Sequence, residues 1–279
     1  MEKIKRVLCF GSGNMVSALI KAYTDKVSNK ISKDQHQSFQ IDLYSPSGKS
    51  SKKLFDELPD SSLKALIDQP VFSEYDIVIL GLKPQQFKEA SLKLKGSFKE
   101  RCIVVSILAG VSLSQIQEGL DHKKVVRLMP NTASEVFEGA NTICFSDNFI
   151  ETEKNDVLSL FAPSGQLIEL SEKELSLATI VSGSGPAYVF KLAEIFESEL
   201  NKQGLDKETA KQLAAQTLYG ASKLLKSSEL EARELRANVT SKAGVTEAVI
   251  KSLETGGFDS LWDQAFESGQ KRNLELSGE

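Results

Sequence analysis

Two histidines and three cysteines in 279 residues leave this chain few means of doing metal or thiol chemistry. Cys9, Cys102 and Cys144 each sit inside an apolar, strand-like run without metal-ligand spacing, so they read as buried reduced thiols rather than disulfide partners or nucleophiles. His36 and His122 lie in polar stretches with no company that points to a metal, which predicts solvated loop residues. No apolar run is long enough to read as a membrane span. Met1-Glu2-Lys3-Ile4-Lys5-Arg6 passes at once into a strand, unlike a signal peptide, so the expected location is the cytoplasm. Positive charge is not in excess either. A formal net charge of −4 with dispersed basic residues argues against a nucleic-acid surface and leaves any anionic ligand to be held by local groups.

What the chain does have is enough apolar side chain, 41% of residues, for one large or two moderate domains, and two is the expected count. Up to about residue 170, short β-rich runs recur at 5–10, 39–44, 76–82, 102–108, 124–129, 140–145 and 166–170, with helix-compatible segments between the earlier ones. Runs apolar on both faces that alternate with helices predict a parallel sheet covered on each side, a doubly wound Rossmann-like α/β domain over 1–168. Beyond 170 the β signal stops. Segments 173–203, 206–228, 229–240, 244–255 and 258–276 carry helical spacing, with breaks at Gly204, Gly244 and Gly256-Gly257, so 169–279 reads as an all-helical domain. No solenoid repeat or low-complexity linker intervenes, which places a direct strand-to-helix passage near 165–172.

The first strand ends in a motif. Val7-Leu8-Cys9-Phe10-Gly11-Ser12-Gly13-Asn14-Met15 is an apolar run closing on Gly-x-Gly and followed by an amphipathic helix start. Such glycines let the backbone approach a pyrophosphate whose charge meets the helix N-terminus. A plain strand-turn-helix is the structural alternative. The third small position of the fingerprint holds Val16, which predicts looser packing of that helix on its strand. In the helical half, Val181-Ser182-Gly183-Ser184-Gly185-Pro186-Ala187-Tyr188 interrupts a helical pattern at ~1 kcal/mol per Gly and ~3 for Pro relative to Ala. It is either a broken helix with close contacts or an opening that presents backbone and hydroxyls to a ligand.

In order and spacing, these motifs and several others resemble the pyrroline-5-carboxylate reductase family nearly end to end. The others are Tyr44-Ser45-Pro46-Ser47, Gly81-Leu82-Lys83-Pro84-Gln85, Ser106-Ile107-Leu108-Ala109-Gly110-Val111, Arg127-Leu128-Met129-Pro130-Asn131-Thr132, and Val239-Thr240-Ser241 through Thr246. The resemblance implies an NAD(P)-binding domain, a helical domain through which subunits dimerise with a possible higher assembly of dimers, and an active site at the domain junction. The reaction implied is hydride transfer from NAD(P)H to the C=N carbon of 1-pyrroline-5-carboxylate, giving L-proline in the last step of proline biosynthesis. A protonated imine accepts hydride readily, so the protein need mainly align carbon and nicotinamide and place donors near nitrogen and carboxylate.

For the substrate, the resemblance implies Ser241, Ala243, Gly244 and Val245 around the carboxylate, Thr246 as the catalytic hydroxyl near the ring nitrogen, and Glu229 at the pocket. Independently, Gly244 followed by a helix over 245–254 presents free N–H groups suited to a carboxylate. Thr246 read alone is equally a helix cap, and Glu229 an exposed helix-start carboxylate. The loop departs from the family's Ser-Pro-Gly-Gly, having Ser241-Lys242-Ala243-Gly244. Loss of Pro loosens it, and Ala243 is harmful only where a positive φ is needed. Lys242 either adds attraction for a carboxylate or points to solvent.

For the cofactor, the motifs imply Gly11, Ser12, Gly13, Asn14 and Met15, then Leu82, Lys83 and Pro84, then Ala109 and Gly110. Lys83 and Pro84 follow the strand 76–82, at whose carboxyl end a doubly wound sheet binds ligands, although Lys83 alone reads as a loop lysine. Asp42 is the one acidic candidate for ribose hydroxyls, and its place before Tyr44 predicts an outward-facing role. Ser45, Ser47 and Lys49 offer hydroxyls and a cation suited to a 2′-phosphate, so NADP(H) is preferred and NAD(H) remains usable. No metal is expected. Two other classes stay open. A β-hydroxyacid dehydrogenase-type or related imine oxidoreductase would need a catalytic lysine in the helical half and leaves Gly-Ser-Gly-Pro-Ala-Tyr unexplained. A weakly active or non-catalytic nucleotide-binding paralogue is motivated by the altered loop.

Overall fold

A computed structural model describes residues 4–28, 39–58 and 62–277; His36 lies outside them. The described strands are β1 (Lys5–Phe10), β2 (Phe39–Tyr44), β3 (Leu63–Ala65), β4 (Ile77–Leu80), β5 (Ile103–Ser106), β6 (Val125–Met129), β7 (Gly139–Phe145) and β8 (Gly165–Glu169), in one sheet of order β3-β2-β1-β4-β5-β6-β7-β8. Neighbouring strands from β3 through β6 pair parallel.

Alternation sorts the strand residues to two faces. Val7, Cys9, Ile41 and Ile79 pack with Val16 and Leu19 of α1 (Asn14–Ser28) and with Val157 and Phe161 of α5 (Glu151–Phe161). Leu8, Val78, Leu80 and Val104 pack with Phe87 and Leu94 of α3 (Phe87–Leu94) and Ile116 and Leu120 of α4 (Leu113–Leu120). Burial on both faces is what the unbroken apolar runs require.

The sheet is mixed rather than wholly parallel, because β7 runs antiparallel to β6. The chain between them is occupied by the short 3-10 turn Thr132–Val136, and so short a passage cannot make the crossover of a dozen or more residues that a parallel pair needs. β3 escapes the sequence reading because Leu63-Lys64-Ala65 is too short to form an apolar run.

All three cysteines are buried and unpaired. Burial pushes the Cys9 thiol up, that of Cys102 to about 12 and that of Cys144 to about 11, which keeps them protonated and unreactive. His122 is not the solvated residue its polar surroundings predict. It is buried, its Nε2 lies 2.6 Å from the Cys102 carbonyl oxygen, and burial lowers its pKa so that the neutral ring is favoured.

The chain divides into two compact units, Met1–Ser184 with Arg272–Glu279, and Gly185–Lys271. The helix following β8, α6 (Glu172–Ser182), therefore goes with the first unit. Its Leu175 is fully buried against Met129 and Cys144, and Arg127 forms an ion pair with Glu172. Asn131 Nδ2 donates to the Ser182 carbonyl at 2.7 Å, holding the end of α6 to the turn after β6. The costly Gly183-Ser184-Gly185-Pro186 stretch is the break between α6 and α7 (Gly185–Lys202), with Pro186 in the first turn, where its missing N–H costs nothing.

The second unit contains α7, α8 (Lys207–Ser227), α9 (Ala232–Asn238), α10 (Val245–Thr255) and most of α11 (Phe258–Ser277). Within it only Ala210 and Ala214 of α8 are buried apolar residues, while Val189, Phe190, Ile195, Leu213, Leu224 and Leu225 are exposed. Among the described residues no helix is long and apolar enough to cross a membrane.

Candidate active site

The sheet order reverses between β1 and β4, and the predicted cofactor residues gather at the carboxyl ends of the strands around that point. Gly11 has φ +98°, and a Cβ there would lie 2.5 Å from the Gly81 carbonyl oxygen. A Cβ on Gly81 would in turn lie 2.5 Å from the Gly11 oxygen and 2.4 Å from Val16 Cγ2. Each glycine makes room for the other's backbone, and Gly81 also makes room for Val16, which is buried. The space that the bulkier third position demands thus comes from the end of β4. The loop is tied down by Gly11 N–H to Tyr44 O at 2.8 Å and Gly81 N–H to Phe10 O at 2.9 Å.

Between these anchors, Ser12 is buried with its Oγ lacking any hydrogen-bond partner. An orphaned buried hydroxyl costs ~1–3 kcal/mol. Beside it Gly13 is exposed, with nothing within 4 Å of a built Cβ, and Asn14 and Met15 open α1 with amides that have no helical carbonyl behind them. A hydroxyl seeking a partner, an uncovered glycine and the start of a helix fit the pyrophosphate of a dinucleotide.

At the end of β2, Gly48 N–H donates to Ser45 O at 2.8 Å. Ser45 is turned inward, its Oγ 3.1 Å from Ser51 Oγ. Ser47 and Lys49 are exposed at the start of α2 (Lys49–Glu57), which also carries Lys52 and Lys53, no acidic residue in its first turn and no side-chain cap. Asp42 does not face outward as its position predicts. It is buried, accepting from Tyr75 Oη at 2.7 Å and from Arg6 Nη2 at 3.2 Å. A carboxylate so committed is taken out of competition for ribose hydroxyls. After β4, Leu82 is half-buried, Lys83 exposed, and Lys83 N–H donates to Gln86 Oε1 at 3.1 Å. Pro84, Ala109, Gly110, Phe87, Val111 and Gly119 are among the residues lining a cleft of about 800 Å³. Gly110, at φ +73°, makes the turn after β5 that forms part of its wall.

The predicted substrate residues lie in the second unit, Ser241, Ala243 and Gly244 on the loop between α9 and α10, Val245 and Thr246 at the start of α10, and Glu229 before α9. Gly244 is the N-cap of α10 and makes no side-chain cap, so Val245 and Thr246 are the first two helical residues and Thr246 is not the cap. A Cβ at Gly244 would lie 2.3 Å from Ser241 Oγ, which rotation of that exposed side chain relieves, and 3.0 Å from the Ser241 carbonyl oxygen, which is a tight contact. Ala243 has φ +57°. The resemblance noted above implies glycine here, and an alanine in the left-handed region carries ~1–2 kcal/mol of strain. Ser241 and Lys242 are exposed, Thr246 half-buried. Glu229 is exposed in the bend before α9, whose N-cap is Glu231, so the helix-start reading belongs to Glu231 rather than to Glu229. The sequence reading passes over Glu247. Its Oε2 accepts from Ala243 N–H at 2.6 Å, and an acidic residue three places after an N-cap is a recognisable signal for such a reach.

Similarity to known proteins spans nearly the whole chain. A family profile described as pyrroline-5-carboxylate reductase dimerisation matches residues 172–276. Pyrroline-5-carboxylate reductase 2 of Bacillus subtilis strain 168 is 31% identical over 278 residues, covering 98% of this chain and 95% of the relative. The Pseudomonas aeruginosa PAO1 pyrroline-5-carboxylate reductase is 32% identical over 278 residues, covering 98% and 97%. Two solved structures cover 99% of both chains at 28% identity. They are the Plasmodium falciparum pyrroline carboxylate reductase with NADP bound, at a TM-score of 0.81, and the Coxiella burnetii pyrroline-5-carboxylate reductase, at 0.82. With a Rossmann-like mixed sheet, a helical second part and this similarity running through both, the chain belongs to the pyrroline-5-carboxylate reductase family.

Proposed function

We propose that the protein is an NAD(P)-dependent oxidoreductase that reduces 1-pyrroline-5-carboxylate to L-proline, with NADPH preferred over NADH. The observation that carries this reading is the start of α10, where Val245 and Thr246, behind the Gly244 N-cap, set first-turn amides beside one hydroxyl and the Ala243 N–H points to the same helix start. That is the donor set for a small carboxylate with an adjacent ring nitrogen. When bound, the nicotinamide supplies the hydride, and one proton completes the amine. The residues assigned to hold it are Gly11, Ser12, Gly13, Asn14 and Met15 at the pyrophosphate, Leu82, Lys83, Pro84, Ala109 and Gly110 along the strand ends, and Ser47 and Lys49 at a 2′-phosphate, with Ser45 shaping their turn. Exposed cations, and an Asp42 carboxylate buried against Tyr75 and Arg6, favour the phosphorylated cofactor.

In this reading 1–168 serves the cofactor and 169–279 the substrate and dimerisation, Glu229 borders the substrate pocket, and the protein works in the cytoplasm. The purified protein is expected to oxidise NADPH when given 1-pyrroline-5-carboxylate, and NADH more slowly. Turnover of a 3-hydroxy acid with none of the pyrroline would overturn the assignment. A second reading, reduction of a related imine, is favoured by the strained Ala243 in the loop, and the same assay with unsubstituted 1-pyrroline separates the two.

The apolar residues left exposed on α7 and α8 support a homodimer as the minimum assembly. Light scattering at micromolar concentration should give at least twice the 30.6 kDa chain mass; a stable species at the chain mass itself would show that these faces have another use.

A further inference from the structure

The loop before α10 carries a carboxylate of its own. Glu247 is the third residue of α10, and its side chain folds back past the Gly244 N-cap so that Oε2 accepts from Ala243 N–H at 2.6 Å. The Gly244 amide is already used, donating to Ser241 O at 3.0 Å. Ala243, held at φ +57°, is therefore the loop residue whose N–H is turned toward an anion at the helix start, and Glu247 is the anion it meets. One N–H cannot serve two carboxylates without bringing their negative charges within a few ångströms of each other. A ligand carboxylate that takes Ala243 N–H must first displace Glu247.

We infer that Glu247 is a specificity-determining residue, an internal carboxylate that competes with the substrate's carboxylate for Ala243 N–H. The inference rests on the reading of this loop as the substrate site. Displacement raises KM for every carboxylated ligand, and a ligand that also engages Thr246 recovers the loss where a simple carboxylate does not. An imine without a carboxylate leaves Glu247 in place and escapes the effect. Glu247 touches neither the reacting carbon nor the nitrogen, so kcat is not its readout.

The test compares the full-length wild type with Glu247→Ala and Glu247→Gln at saturating NADPH, using 1-pyrroline-5-carboxylate and unsubstituted 1-pyrroline. Glu247 is exposed, so neither change disturbs a core. Both variants are expected to lower KM for the carboxylated imine by about three- to tenfold, the net scale of one ordinary hydrogen bond, since the gain of the Ala243 N–H is partly offset by its solvation in the free variants. kcat should stay within about twofold and KM for 1-pyrroline should not change. If Glu247 merely braces the loop, Glu247→Ala raises KM for both imines and Glu247→Gln restores it, which overturns the inference. Unchanged constants in both variants overturn it too, and in either case normal wild-type turnover leaves the proposed function standing. A wild type that turns over neither imine removes that function, and this inference with it.

Discussion

Thr246→Ala is expected to lower kcat with 1-pyrroline-5-carboxylate by about tenfold to a hundredfold while leaving the affinity for NADPH unchanged. The range corresponds to losing a hydrogen bond of ~1–3 kcal/mol that strengthens as charge shifts at the ring nitrogen. The position supports a chemical rather than a structural role. Thr246 is half-buried at the second position of α10, behind an N-cap glycine, so its hydroxyl is not the group that starts the helix. Removing it should leave the melting temperature within a few degrees of the wild type. Steady-state kinetics together with cofactor titration checks both halves. Wild-type turnover accompanied by a lower melting temperature would make Thr246 a stabilising residue and move the search for the donor to Ser241, whose Oγ lies over Gly244.

How much of this was legible in the sequence depends on the range of the interaction concerned. Strands β1, β2, β4, β5 and β6 were legible because their burial leaves continuous apolar runs, and the glycine turn after β1 because it follows such a run directly. The reversal of β7 is not written in its own residues, and its one signal is the short passage between Met129 and Gly139. Asp42 and His122 misled for a common reason. Asp42 was read from its place before Tyr44 and His122 from its polar stretch, but their partners, Arg6 and Tyr75 for the one and the Cys102 carbonyl for the other, come from distant strands or their flanking loops. At the loop before α10, sequence identified Ala243 as a departure whose cost turns on the sign of φ, and only the backbone supplies that sign. Val16 shows the same dependence. Its bulk at a position that usually holds a small residue looks like a defect until Gly81, sixty-five positions along the chain, is seen beneath it.

Gly11→Ala and Gly13→Ala are two residues apart and should fail in different ways. At Gly11 the added Cβ would stand 2.5 Å from the Gly81 carbonyl oxygen on a backbone with φ +98°, so both the strand end and the turn must move. Backbone atoms do not yield as a flexible side chain would. Strain and overpacking together should cost ~2–4 kcal/mol and lower the melting temperature by about 5–15 °C, with cofactor binding lost as the loop shifts. At Gly13 the backbone is outside the left-handed region and nothing lies within 4 Å of the added Cβ, so the protein itself tolerates the change and its melting temperature should hold. The methyl group instead fills space that the pyrophosphate is proposed to occupy above the orphaned Ser12 hydroxyl. The dissociation constant for NADPH is then expected to rise by at least about tenfold, ~1.4 kcal/mol. Thermal unfolding and cofactor titration of the two variants separate a glycine kept for the fold from one kept for the ligand. A Gly13→Ala protein that binds NADPH as tightly as the wild type would place the dinucleotide somewhere other than over this loop.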